Sequence, residues 1–154
     1  MYSTLRTVSW ILLAIVGGLT VLGALASAGV ALRGARDGVG PTTVDELAAG
    51  REAVASALRG RRLTAAAFAA AFGVMLLLVA AVPYRRGDVW AWWAILAATL
   101  TLSLLVMARV PFIGTRSGAG TGLVMLVVVA LALALDAGRL RASQPPPQVP
   151  QATP

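Results

Sequence analysis

Thirteen basic residues and six acidic ones carry all the charge of the chain, and every basic residue is arginine. Three of them fall in PYRRGDVWAWW, Pro83 to Trp93, where Arg85, Arg86 and Asp88 stand beside Trp90, Trp92 and Trp93. Guanidinium groups take phosphate through charge-assisted, often bidentate hydrogen bonds. They also stack on tryptophan faces, a contact worth about 0.5–2 kcal/mol. Asp136, at the end of the last apolar block, is the acid that the same side of a membrane would bring near them. The candidate headgroup or ligand contacts are therefore Arg85, Arg86, Asp88, Trp90, Trp93 and Asp136. Each also has a structural use. Pro83 closes a helix because it lacks a backbone donor, and Gly87 allows a turn. Asp88 suits the N-cap of the next helix. Tyr84 and the tryptophans belong at headgroup level. Asp136 is expected to pair with an arginine of the hairpin or with Arg139.

Other chemistries are excluded by what is missing. The chain has no cysteine and no histidine, which removes disulfide exchange, His-ligated haem, Cys/His zinc sites and a Ser-His-Asp triad. No cofactor or metal is expected, and no catalytic residue is assigned. The glycines of RVPFIGTRSGAGTG, with Gly118, Gly120 and Gly122, lack the preceding strand and the following lysine of a nucleotide loop. Gly118 and Gly122 fit close helix packing instead. A net charge of +7 would point to nucleic acid in a soluble chain. Here the arginines flank apolar blocks, so topology signals and anionic headgroups account for them, and nucleic acid is not a partner.

The elements that must position these groups follow from composition. Hydrophobic residues make up 58% of the chain and charged ones 12%, too little charge to cover a soluble surface. The apolar residues fall in four uncharged blocks, each near the roughly 20 residues that a membrane helix needs. The expected fold is an all-α membrane protein, four transmembrane helices in an antiparallel bundle. Its helices cover about 9–32, 63–83, 88–109 and 118–136, and residues 1–138 form the domain. A short amphipathic helix over 42–60 lies between the first two, opened by a capping box from Thr43 to Glu46 and striped by Val44, Leu47, Val54 and Leu58. It either lies on the membrane surface or packs over the end of the bundle, and the second is preferred because Gly50 and Arg51 interrupt the stripe. The first block begins like a secretory signal but runs too long for one, so a retained helix is favoured over cleavage. Small residues at Ala14 and Gly18, then Gly23, Ser27 and Ala31, offer a close-packing face. Residues 139–154, rich in proline and glutamine, read as a disordered tail.

Tyr84, Arg85, Arg86, Gly87, Trp90, Ala91, Trp92 and Trp93 form a YRRGxxWAWW pattern. In it, and in the first helix and connection before it, the chain resembles a broad set of small, uncharacterised bacterial four-helix integral membrane proteins. The resemblance implies a fold and a location in the bacterial inner membrane, and no activity. Arginine counts favour an outside N-terminus, whereas the signal-like start and the resemblance favour an inside one, which is the orientation adopted. Three functions compete. The first is a structural or accessory protein that binds lipid, a partner membrane protein or a second copy, without catalysis. The second is a small multidrug-type transporter working as a dimer, weakened by the lack of an acid within the first helix. The third is a lipid-modifying enzyme using Asp88, Asp136 and the hairpin arginines, for which no spacing argues.

Overall fold

A computed structural model of the chain describes residues 2–33, 38–39, 42–113 and 119–142. The described residues are overwhelmingly helical. Helix α1 covers Tyr2–Arg33. A short antiparallel ladder follows, β1 (Gly38–Val39) with β2 (Thr42–Thr43), pairing Gly38 with Thr43 and Val39 with Thr42. Then come α2 (Val44–Ala48) and α3 (Glu52–Val79), the latter continued by a π turn over Ala80–Tyr84. Helices α4 (Val89–Ile113), α5 (Ala119–Leu135) and α6 (Gly138–Ala142) complete the order.

Three helical stretches are long and apolar enough to cross a membrane: Thr4–Arg33, Glu52–Tyr84 and Val89–Phe112. Helix α5 is equally apolar but has 17 residues, about 25 Å of rise. A helix satisfies its own backbone, which is what an uncharged run of alanine, leucine and valine needs where no water is available.

Helix α1 packs along α3 and α5, and α4 packs along α5, whereas α3 and α4 touch little beyond their shared hairpin. The buried core sits toward that hairpin and contains Leu13, Leu76, Tyr84, Ile95, Val129 and Leu133. The α1–α3 crossing is set by Gly17 and Gly73. A Cβ on Gly73 would lie 2.9 Å from the Gly17 carbonyl oxygen, and one on Gly17 would lie 3.1 Å from that of Gly73. The expected small-residue face matches only in part: Ala31 is buried and Ser27 accepts from Arg62 of α3 at 3.2 Å. Gly18 and Gly23 have open space beside them, and the small positions turned inward are Gly17, Ala24 and Ala31. They recur every seven residues, a spacing that keeps one face of a helix toward a neighbour. Four-residue spacing alone cannot choose between adjacent faces of a glycine- and alanine-rich helix.

Several boundaries differ from the expected ones. The amphipathic segment over 42–60 is broken in two: α2 ends after five residues at Ala49, φ 47°, and Gly50, φ 77°. The chain reverses there, and α3 starts at Glu52, well before Leu63. Val44 and Ala48 pack onto Ala55, with Val54 and Leu58 beside them, so the apolar stripe folds onto itself while Leu47 faces outward. The capping box is present: Glu46 N–H donates to the Thr43 hydroxyl at 3.3 Å, and Thr43 N–H donates to the Glu46 carboxylate at 2.8 Å. Pro83 does not close the helix. The π turn passes through it, and the helix ends at Gly87. Proline forfeits one hydrogen bond and crowds the carbonyl a turn earlier, and widening the turn relieves both. At the other end, α6 and Arg139 belong to the folded part, not to the tail. The tail from Ser143 onward lies outside the described residues, as do Arg116 and Gly118.

Candidate functional site

Polar side chains converge where α1 begins, α3 ends and α5 ends. Ser9 is completely buried, and its hydroxyl lies 2.6 Å from the Ala132 carbonyl oxygen and 2.6 Å from the Tyr84 hydroxyl. A carbonyl only accepts, so the single serine proton goes to Ala132 and Tyr84 donates to Ser9. One short chain of hydrogen bonds thus joins α1, the π turn and α5. The aromatic ring of Tyr84 is covered by the Arg139 guanidinium, 4.1 Å from its centroid. Arg139 also donates to the Tyr84 carbonyl at 3.0 Å and the Asp88 carbonyl at 3.4 Å, and it forms an ion pair with Asp136. The Tyr84 carbonyl also accepts from the Gly87 N–H at 3.1 Å, so Arg139 adds a second donor there and ties the start of α4 to the end of α5. Both side chains of the pair are almost fully buried.

Two further contacts fasten the hairpin. Arg6 donates to the Arg85 carbonyl at 2.6 Å. Its guanidinium passes so close to Gly87 that a Cβ there would meet it at 2.8 Å. Gly87 is favoured by its φ of +103°, whereas the Arg6 guanidinium, at the end of a flexible side chain, can move aside for a larger residue. On α4, the indole N–H of Trp92 donates to the Leu133 carbonyl at 3.0 Å.

The expected contacts are distributed differently from a single pocket. Arg85 stacks on Trp10, 5.0 Å from the ring centroid, and not on a tryptophan of its own hairpin. Arg86 and Asp88 are exposed. Among the described residues the Asp88 carboxylate makes no hydrogen bond to the first amides of α4, although it stands at the N-cap position. Trp90 and Trp93 face outward, 58% and 55% exposed. Asp136 is buried against Arg139, and among the described residues it forms no ion pair with Arg85 or Arg86, both of which are exposed.

No family model, curated protein or solved structure matches the chain. What the arrangement can do rests on its geometry. Ser9 and Tyr84 are closed off with their protons committed, and the Asp136 carboxylate is held by Arg139. These groups hold helices together and present neither a nucleophile nor a base to a cavity. Among the described residues, no three of His, Cys, Asp and Glu come together as metal ligands. Cavities lie between the long helices. One of about 260 Å³ has apolar walls from α3 and α4, among them Phe72, Leu76, Val79, Trp90 and Ile95. Another, of about 540 Å³, lies at the end away from the hairpin and is reached by Arg109. Deep on α4, Thr99 is completely buried and its hydroxyl has no hydrogen-bond partner.

The expected pairing of Asp136 with Arg139 is present. Ser9 and Trp92 are the residues that sequence reasoning missed, because serine is ordinary in an apolar helix and Trp92 reads like its outward-facing neighbours.

Proposed function

We propose that the chain is a multi-pass protein of the bacterial inner membrane, with four transmembrane helices in an antiparallel bundle and its N-terminus inside. It acts as a structural or accessory protein that binds lipid or a partner membrane protein through its helix faces and performs no catalysis. The observation that carries this reading is the contrast between inside and outside. The converging polar groups Ser9, Tyr84, Asp136 and Arg139 are occupied with one another. The outward faces are broad and apolar, with Phe68, Met75, Trp90, Trp93, Leu104 and Phe112 all more than half exposed. Surfaces of that kind are met by acyl chains or by another helix. Arg86 and the two outward tryptophans supply the headgroup-level anchor.

The test is extraction of the full chain in native lipid discs, followed by lipid analysis and crosslinking. Enrichment of one lipid class over the bulk membrane, or a partner in constant proportion, is the expected result. Cells expressing the chain should keep the tolerance of cationic compounds shown by cells without it. A gain in tolerance that disappears in Asp136→Asn would overturn the accessory reading in favour of the dimeric transporter. Turnover of labelled lipid by the purified chain would overturn it in favour of an enzyme.

A further inference from the structure

The cavity of about 540 Å³ at the Arg109 end falls within the roughly 300–1,000 Å³ of small-molecule sites. Its interior is hydrocarbon, formed by Leu19, Ala69, Leu102 and Met125 from four different helices. Hydroxyls on its wall are turned to backbone: Thr20 donates to the Val16 carbonyl at 2.7 Å, and Ser103 approaches that of Gly122 at 3.5 Å. Arg109 stands at the mouth, and Arg62, which has other partners as well, donates to Ser27, another lining residue, at 3.2 Å. Among the described residues none that lines the cavity is acidic. From Ser27 to Leu19, both of which line it, α1 rises about 12 Å. The cavity lies beside the seam where α3 and α4 have diverged from their hairpin, the least packed boundary of the bundle. An aqueous solute would meet an apolar lining there, whereas a lipid in the surrounding leaflet meets a lateral opening with a positive rim.

We propose that this cavity is a binding site for an anionic phospholipid, which inserts one acyl chain between α3 and α4 and sets its phosphate against Arg109. The proposal rests on the lipid-binding reading above and gives that reading a location and a headgroup charge. It is distinct from the hairpin surface, which lies at the other end of the helices.

The experiment is native mass spectrometry of the full chain in nonionic detergent. The probes are palmitoyl-oleoyl phosphatidylglycerol and phosphatidylcholine, which share their acyl chains. The wild-type chain is expected to retain the anionic lipid about tenfold better. Arg109→Gln should remove that preference by weakening the phosphate contact. Gly23→Leu should reduce retention of both lipids, because Gly23 lines the cavity and a Cβ there meets no protein atom within 4 Å; an unchanged unfolding midpoint of this variant separates a filled site from a damaged fold. Arg86→Gln, at the hairpin, should change nothing. Equal retention of the two lipids overturns the proposal. So does retention that is insensitive to Arg109→Gln and Gly23→Leu, in which case lipid binding stands and this site falls. If the wild-type chain retains neither lipid, the site and the lipid reading fall together.

Discussion

Arg139 and Asp136 matter because a charge pair away from water is safe only while both partners are present. Removing one leaves the other buried and uncompensated, at a cost of about 3–5 kcal/mol. Asp136→Ala is therefore expected to lower the thermal unfolding midpoint in detergent sharply. Asp136→Asn, which keeps an acceptor for the guanidinium, should lower it less. Equal midpoints for wild type and Asp136→Ala would show that the pair carries no stability. The same logic explains why Arg139 is held so fully. It binds a carboxylate, two backbone carbonyls and an aromatic face, so little of its donor capacity is left to a ligand. Chemistry at this place would first have to break what holds the helices together.

Among the elements, the α1–α3 crossing and the α2 turn are the most exposed to test. Gly73→Ala places a methyl group against the Gly17 carbonyl and Val21, and overpacking of this kind costs about 1–3 kcal/mol. Gly18→Ala, one position from the crossing and beside open space, should be neutral or slightly stabilising, since alanine is the better helix former. Paired unfolding measurements on the two variants would separate the faces, and a larger loss at Gly18 would place the crossing elsewhere. At α2, the hydroxyl of Thr42 and the backbone N–H of Thr43 hold the Glu46 carboxyl below its ordinary value of 4.5. A lowered folded-state pKa means that the stabilisation is complete above that ordinary value and fades as pH falls through the lowered one. Amide exchange in α2 should thus stay slow relative to its intrinsic rate from neutral pH to about 4.5 and become faster below it. Glu46→Gln should flatten that dependence. An unchanged acid profile in the variant would show that the carboxylate is not responsible.

At the scale of the whole molecule, orientation in the membrane decides which solution each end of the helices meets. The absence of native cysteine makes it measurable with single cysteines and an impermeant maleimide in whole cells. The folded structure selects the positions: Leu47 and Arg86 are exposed, whereas Ala48 is buried and Gly87 has both a positive φ and Arg6 against it. With the N-terminus inside, Leu47→Cys should label and Arg86→Cys should not. The reverse pattern would show that the arginine count was the better guide, and labelling of both would mean dual insertion.

The sequence by itself determined the helical, apolar character of the chain and the approximate extent of its long helices, because uncharged runs of this length leave the backbone little alternative. It also determined the Thr43–Glu46 capping box and the turn at Gly87, both of which depend on residues only a few positions apart. The tertiary structure decided the rest. Which face of α1 meets α3 depends on a partner helix more than forty residues away, and a stretch rich in alanine and glycine offers several faces of equal merit. Whether Trp92 or its neighbours turn inward, and whether Ser9 and Tyr84 meet, is fixed by the rotation of packed helices, which leaves no local signature. Pro83 showed the same limit in reverse. Its local rule is to end a helix, and the contacts that Tyr84 makes beyond it, with Ser9 and Arg139, give the chain a reason to continue for one wider turn.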